Sequence, residues 1–109
     1  MATHHALPSE IVDMESWGQE QPQKHSNRIV RTREMELARL VFSAGEEFKT
    51  HEVSGPIIVH CIKGDIAFTA MGTTQTLKPG QLLYLMADEP HSIQAITDAV
   101  VLLTIVFRV

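Results

Sequence analysis

Six histidines, one cysteine, one tyrosine and thirteen carboxylates are the side chains of this 109-residue chain that could ligate a metal or move a proton. No Gly-rich phosphate loop, CxxC pair, HExxH helix or serine elbow accompanies them, so phosphoryl transfer, zinc proteolysis and serine hydrolysis have no motif to rest on. His51 and His91 stand apart from the other four histidines. Each opens a strand-like segment beside a turn. In a small barrel, side chains at strand starts converge on the mouth, where ligands and metals are held. An imidazole placed there can ligate a cation, hydrogen-bond a ligand or carry a proton.

The remaining groups have plainer roles. Strand alternation puts Ile57, Val59 and Cys61 on one face and Ile58, His60 and Ile62 on the other, so His60 points away from the ligand side. Cys61 is a buried, inert thiol by default, with nothing adjacent in sequence to lower its pKa. Phe68 and Met86 read as core. Glu46, Glu47, Asp88 and Glu89 read as solvated loop charges. Gln94 and His25 are further donors with only their chemistry to recommend them.

The elements that must position these groups are short strands. From Arg28 onward, apolar segments alternate with compact turn signals: Ser43-Ala44-Gly45, Ser54-Gly55-Pro56, Lys63-Gly64-Asp65, Met71-Gly72-Thr73, Lys78-Pro79-Gly80, Asp88-Glu89-Pro90 and Thr97-Asp98. Between them lie Ile57–Ile62, Ile66–Met71, Gln75–Leu77, Leu82–Met86, Ser92–Ile96 and Ala99–Val109. Many short β-branched runs with a turn every 8–12 residues or so predict an all-β sandwich or barrel. Glu34–Leu40 is built from strong helix formers, yet its Leu40-Val41-Phe42 end is β-like and its neighbours need pairing partners, so it is assigned as strand. Residues 1–27 form an irregular N-terminal arm, with Ile11, Val12, Met14 and Trp17 available to pack on a barrel domain over 28–109.

Bulk properties narrow the function. The chain has room for one core. A formal net charge of −4 leaves no basic field for phosphates, so nucleic acid is not an expected partner. The apolar run Ala99–Phe107 is too short to span a bilayer as a helix and reads as a strand, so no membrane is expected. A single cysteine and no visible secretory leader fit a reducing, cytoplasmic setting. Apolar residues on both faces of the last strand predict that a second subunit covers one side, giving a homodimer.

The spacing resembles the cupin family. Gly45, five residues, His51, one, Val53, three, Ile57, six, Gly64 follows the first cupin motif, G-x5-H-x-H-x3-E-x6-G. Gly80, five residues, Met86, one, Asp88, two, His91, three, Ala95 follows the second, G-x5-P-x-G-x2-H-x3-N. The resemblance covers about residues 36–107 and implies a single small double-stranded β-helix, or jelly-roll barrel, of the cupin type.

In a metal-binding cupin three His and one Glu hold Fe, Mn, Ni or Zn. By position this chain keeps His51 and His91, while Val53 and Ile57 replace the second His and the Glu. Two imidazoles alone seldom hold a divalent ion, because protein sites supply three or four ligands. The expected function is therefore binding of a small organic ligand in an apolar pocket, with Val53, Ile57 and Met86 among its walls and His51 and His91 near the mouth. A metal-dependent cupin enzyme, of dioxygenase or isomerase type, is the alternative; its ion would be held by His51, His91 and a further ligand. Metal-free acid–base catalysis would need Tyr84 as the partner of a histidine.

Overall fold

The computed structural model describes residues 5–14, 26–50 and 53–107. These contain nine strands and no helix: β1 (Asn27–Arg31), β2 (Met35–Phe42), β3 (Glu47–Thr50), β4 (Ile57–Lys63), β5 (Ile66–Ala70), β6 (Thr73–Leu77), β7 (Leu82–Leu85), β8 (His91–Ala95) and β9 (Ala99–Val106). They form two antiparallel sheets, one of order β1-β2-β9-β4-β7 and one of order β3-β8-β5-β6. Consecutive strands repeatedly land in different sheets, which is how a jelly roll closes around one core.

Period-two patterning builds that core. Ile57, Val59 and Cys61 of β4, Val101 and Leu103 of β9, Ile66 and Phe68 of β5 and Ile93 of β8 all turn inward and are buried. The residues between them face out. Burying each large aliphatic or aromatic side chain contributes about 1.5–3 kcal/mol, so this alternation is what fixes register. It also explains β2, where helix formers adopt a strand. Ala38, Leu40 and Phe42 enter the core at alternate positions, and the ladder to β9 runs unbroken from Met35↔Val106 to Phe42↔Ala99. Tertiary burial overrides intrinsic propensity there.

Two strands differ from the sequence reading. β1 and β3 carry no clear apolar alternation; β3 is formed by Glu47-Phe48-Lys49-Thr50 and is fixed by pairing with β8. The last strand is not an edge. β9 lies between β2 and β4, its inner side chains Ala99, Val101 and Leu103 are buried, and Val100, Leu102 and Thr104 are half-buried on the outer face. The free edge of that sheet next to β4 is instead β7.

The motif glycines sit in turns. Gly45, Gly64 and Gly80 have φ of +87°, +75° and +88°. At Gly64 space is also lacking: a Cβ would lie 2.1 Å from the carbonyl oxygen of Asp98. Glycine satisfies both demands at once. No helix among the described residues is long and apolar enough to cross a membrane.

Candidate functional site

His91 is the first residue of β8, directly after Glu89-Pro90, and its side chain turns inward. It is the one buried polar or charged residue among those described, 7% exposed. Its ring stacks on Phe68 of the neighbouring β5, with centroids 5.7 Å apart and planes 14° apart. Nδ1 lies 3.0 Å from the carbonyl oxygen of Glu89. A carbonyl can only accept, so Nδ1 carries the proton in this contact, and in the neutral imidazole Nε2 holds the lone pair. One ring face and one ring nitrogen are therefore fixed by the fold.

The turn that delivers His91 is tied to the first motif. Asp88, with φ of +67°, donates its backbone N–H to the carbonyl oxygen of Val53 at 2.8 Å. Thr50, at the end of β3, is the register partner of His91. The segments on either side of position 51 thus both reach the strand and turn that carry His91. His51 itself lies outside the described residues, as do His25 and Trp17.

Val53 is half-buried and packs on the core, and Ile57 is 2% exposed within it. Met86 is placed differently from the expected wall and core residue. It is 66% exposed, at the end of β7, with the Tyr84 hydroxyl directed at its sulfur. Tyr84 stands on the outer face of the five-stranded sheet opposite Ile58, whereas His91 faces inward from the other sheet. The fold does not bring Tyr84 and His91 together. His60 is half-buried on the outer face and Gln94 is exposed. Neither faces the core.

A cavity of about 480 Å³ opens beside His91, with Lys49, Thr69, Glu89 and Ser92 among its lining residues. Its side chains include two charges of opposite sign and two hydroxyls, a set suited to hydrogen-bonding a polar organic group. Lys49, Thr69 and Ser92 reach it from the outward-facing positions of their strands, while the His91 imidazole turns inward behind them. Nothing in the sequence announced this cavity, because the β3–β8 and β8–β5 registers that assemble it are long-range pairings.

The described residues do not fit a divalent metal. No three His, Cys, Asp or Glu side chains among them come together, and Val53 and Ile57 place hydrocarbon where the motif frame calls for donors. Cys61 is buried and faces the core, but its thiol donates to the carbonyl of Gly64 at 3.1 Å. Burial, reinforced by the charge of Asp65, pushes its pKa above the ordinary thiol value, so it is protonated and not a ready ligand.

The cupin domain family matches residues 38–107. Among curated proteins nothing matches the chain. Solved structures are similar in fold. A cupin superfamily protein from Desulfitobacterium hafniense superposes with a TM-score of 0.81 at 15% identity, covering 99% of this chain and 100% of that one. A conserved protein of unknown function from Streptococcus pyogenes gives 0.79 at 21% identity, covering 100% and 96%. An RmlC-like cupin with a double-stranded β-helix fold from Methanocaldococcus jannaschii gives 0.69 at 19% identity, covering 79% and 84%. The motif frame, the two-sheet jelly roll and the family match over residues 38–107 agree: this chain belongs to the cupin domain family.

Proposed function

We propose that this cupin barrel binds a small organic ligand beside His91, using the imidazole as a hydrogen-bonding group and not as part of a metal centre. The observation that carries this reading is the setting of His91. It is stacked on Phe68 and oriented by the Glu89 carbonyl, next to a lined cavity, while the two frame positions that would complete a metal site are the hydrocarbons Val53 and Ile57. His51 is expected to approach His91 closely enough for one ligand to bridge both rings. The protein acts as a homodimer in this reading, in a cytoplasmic setting.

Metal analysis of protein purified without chelators, combined with a ligand screen by methyl and amide NMR, tests the proposal. The expected result is substoichiometric metal and a ligand whose shifts centre on Phe68, His91 and Ser92. A stoichiometric ion that leaves with chelator and returns on dialysis would overturn it in favour of the metal-dependent enzyme.

A further inference from the structure

A second, differently built site lies on the outer face of the five-stranded sheet, remote from the element that carries His91. Arg39 projects outward from β2, between the buried Ala38 and Leu40. Lys63 ends β4, just past a register irregularity in the β4–β9 ladder. Two cavities, of about 210 and 380 Å³, share Arg39, Lys63 and Val100 as walls. Val41 lines the first, and Ile62 and Met14 line the second, so both cations stand over hydrocarbon.

The charge here is not balanced. Elsewhere Arg28 and Arg31 pair with Glu36, and Lys78 approaches Asp65 at 3.8 Å. Neither Arg39 nor Lys63 makes an ion pair among the described residues. Arg39 Nε is buried and meets no hydrogen-bond acceptor there. The carboxylate that shares a cavity with them, Asp98, is engaged by the backbone N–H of Ala44 at 2.8 Å. A chain with net charge −4 has acids to spare, yet among the described residues none forms an ion pair with this guanidinium. Burying an unpaired donor of a charged group is unfavourable, and an anion that supplied the missing acceptor would relieve it. A guanidinium fork matches a carboxylate in two parallel hydrogen bonds, and the apolar walls favour a hydrocarbon tail over bare hydrated anions.

We infer that the trough formed by Arg39, Lys63 and Val100 binds a small aliphatic carboxylate, its head on the two cations and its tail along Val41, Val100 and Ile62. The site stands independently of the ligand proposed beside His91, since the two lie on different sheets.

Hexanoate, hexanol and acetate serve as probes, titrated into the full-length protein while the methyl resonances of Val41, Val100 and Ile62 are followed. Hexanoate should bind at least tenfold more tightly than hexanol, which lacks the charge, and than acetate, which lacks the tail. Arg39→Gln should weaken hexanoate at least tenfold, Arg39→Lys and Lys63→Gln several-fold. Arg33→Gln, which removes one positive charge at the β1–β2 turn, should leave it unchanged. Without ligand, Arg39→Gln should melt no lower than wild type, because it removes an unpaired buried donor. Equal binding of hexanol and hexanoate by the wild type overturns the inference with no variant needed. So does an unaltered affinity in Arg39→Gln, or a shift pattern centred on His91.

Discussion

The imidazole of His91 lies parallel to the phenyl ring of Phe68, 5.7 Å away, although the two residues are 23 positions apart in sequence. The β5–β8 ladder, which pairs Ala70 with His91 and Phe68 with Ile93, creates this contact. Phe68 is thus both a core residue and the platform of the site. Truncating it should act on stability and on ligand binding together. Phe68→Ala should lower stability by about 3–5 kcal/mol, as for other buried phenylalanines. The stacking itself is isolated by the cycle Phe68→Leu with His91→Asn. Urea unfolding should give a coupling of about 0.5–1.5 kcal/mol between them, and additive losses would show that the rings merely adjoin.

Gly64, which closes the first motif, and Gly80, which opens the second, should respond unequally to alanine. Both have positive φ, which disfavours a Cβ by about 1–2 kcal/mol. At Gly80 nothing stands within 4 Å of the added atom, while at Gly64 the Asp98 carbonyl blocks it. Gly80→Ala should therefore cost about 1–2 kcal/mol, and Gly64→Ala about 3 kcal/mol or more. Thermal melts that rank the two equally would contradict the steric account.

The glycine spacing was legible in the sequence because a positive φ favours glycine over residues that carry a Cβ, and His91 was legible because it stands in the same frame. The strand identity of Glu34–Leu40 was legible only through its neighbours' need for partners. What stayed hidden depends on pairing across the chain. Phe48 and Thr50 belong to a strand only because β8 lies beside them. Met86 reads as core by composition, yet β7 is an edge and leaves it at 66% exposure. The interior position of β9 is likewise a fact of topology: its sequence reads the same whether a strand of this chain or another subunit flanks it.

That topology moves the expected dimer contact. β7 is a sheet edge, and Ile58, Leu82, Tyr84 and Met86 expose 39%, 57%, 58% and 66% of their surfaces around it. An apolar edge of this kind templates association unless it is covered. A second copy should cover it. Sedimentation should show a dimer at micromolar concentration, and Leu82→Lys with Tyr84→Glu should shift the population to monomer without loss of fold. A wild type that stays monomeric across that range would remove the claim.

Cys61 should behave as a silent thiol. Its raised pKa favours the protonated form in the folded state. For an acid whose folded pKa exceeds its unfolded value, the associated stability is fully present below the unfolded pKa. It is lost as pH rises through the folded one. The protein should therefore resist a thiol-reactive disulfide reagent at neutral pH unless unfolded, and should lose stability as pH climbs above the ordinary thiol range near about 8.5. Cys61→Ser should flatten that alkaline decline. Rapid native-state labelling at neutral pH would show that the Gly64 and Lys63 carbonyls do not hold the group in place.

The two hydrocarbons in the motif frame offer the sharpest test of the metal question. Ile57 is 2% exposed and Val53 packs on the same core. Ile57→Glu alone places a carboxyl in an apolar setting, where burial raises its pKa above the ordinary glutamate value of about 4.3. The folded state then binds the proton more tightly than the unfolded state. Stability of this variant should be greatest in acid and should fall as pH rises from that value through the raised one, opposite to the usual carboxylate. At neutral pH the cost should reach several kcal/mol. Adding Val53→His supplies, with His91 and His51, the four donors of a metal-binding frame. Zn²⁺ or Ni²⁺ should then raise the melting temperature of the double variant, because the ion binds only the folded state and draws the carboxylate into its charged form. The wild type should show no comparable rise. A double variant indifferent to metal would mean that positions 53 and 57 do not face His91 and His51. A wild type that metal stabilises strongly would require a ligand set beyond the residues named.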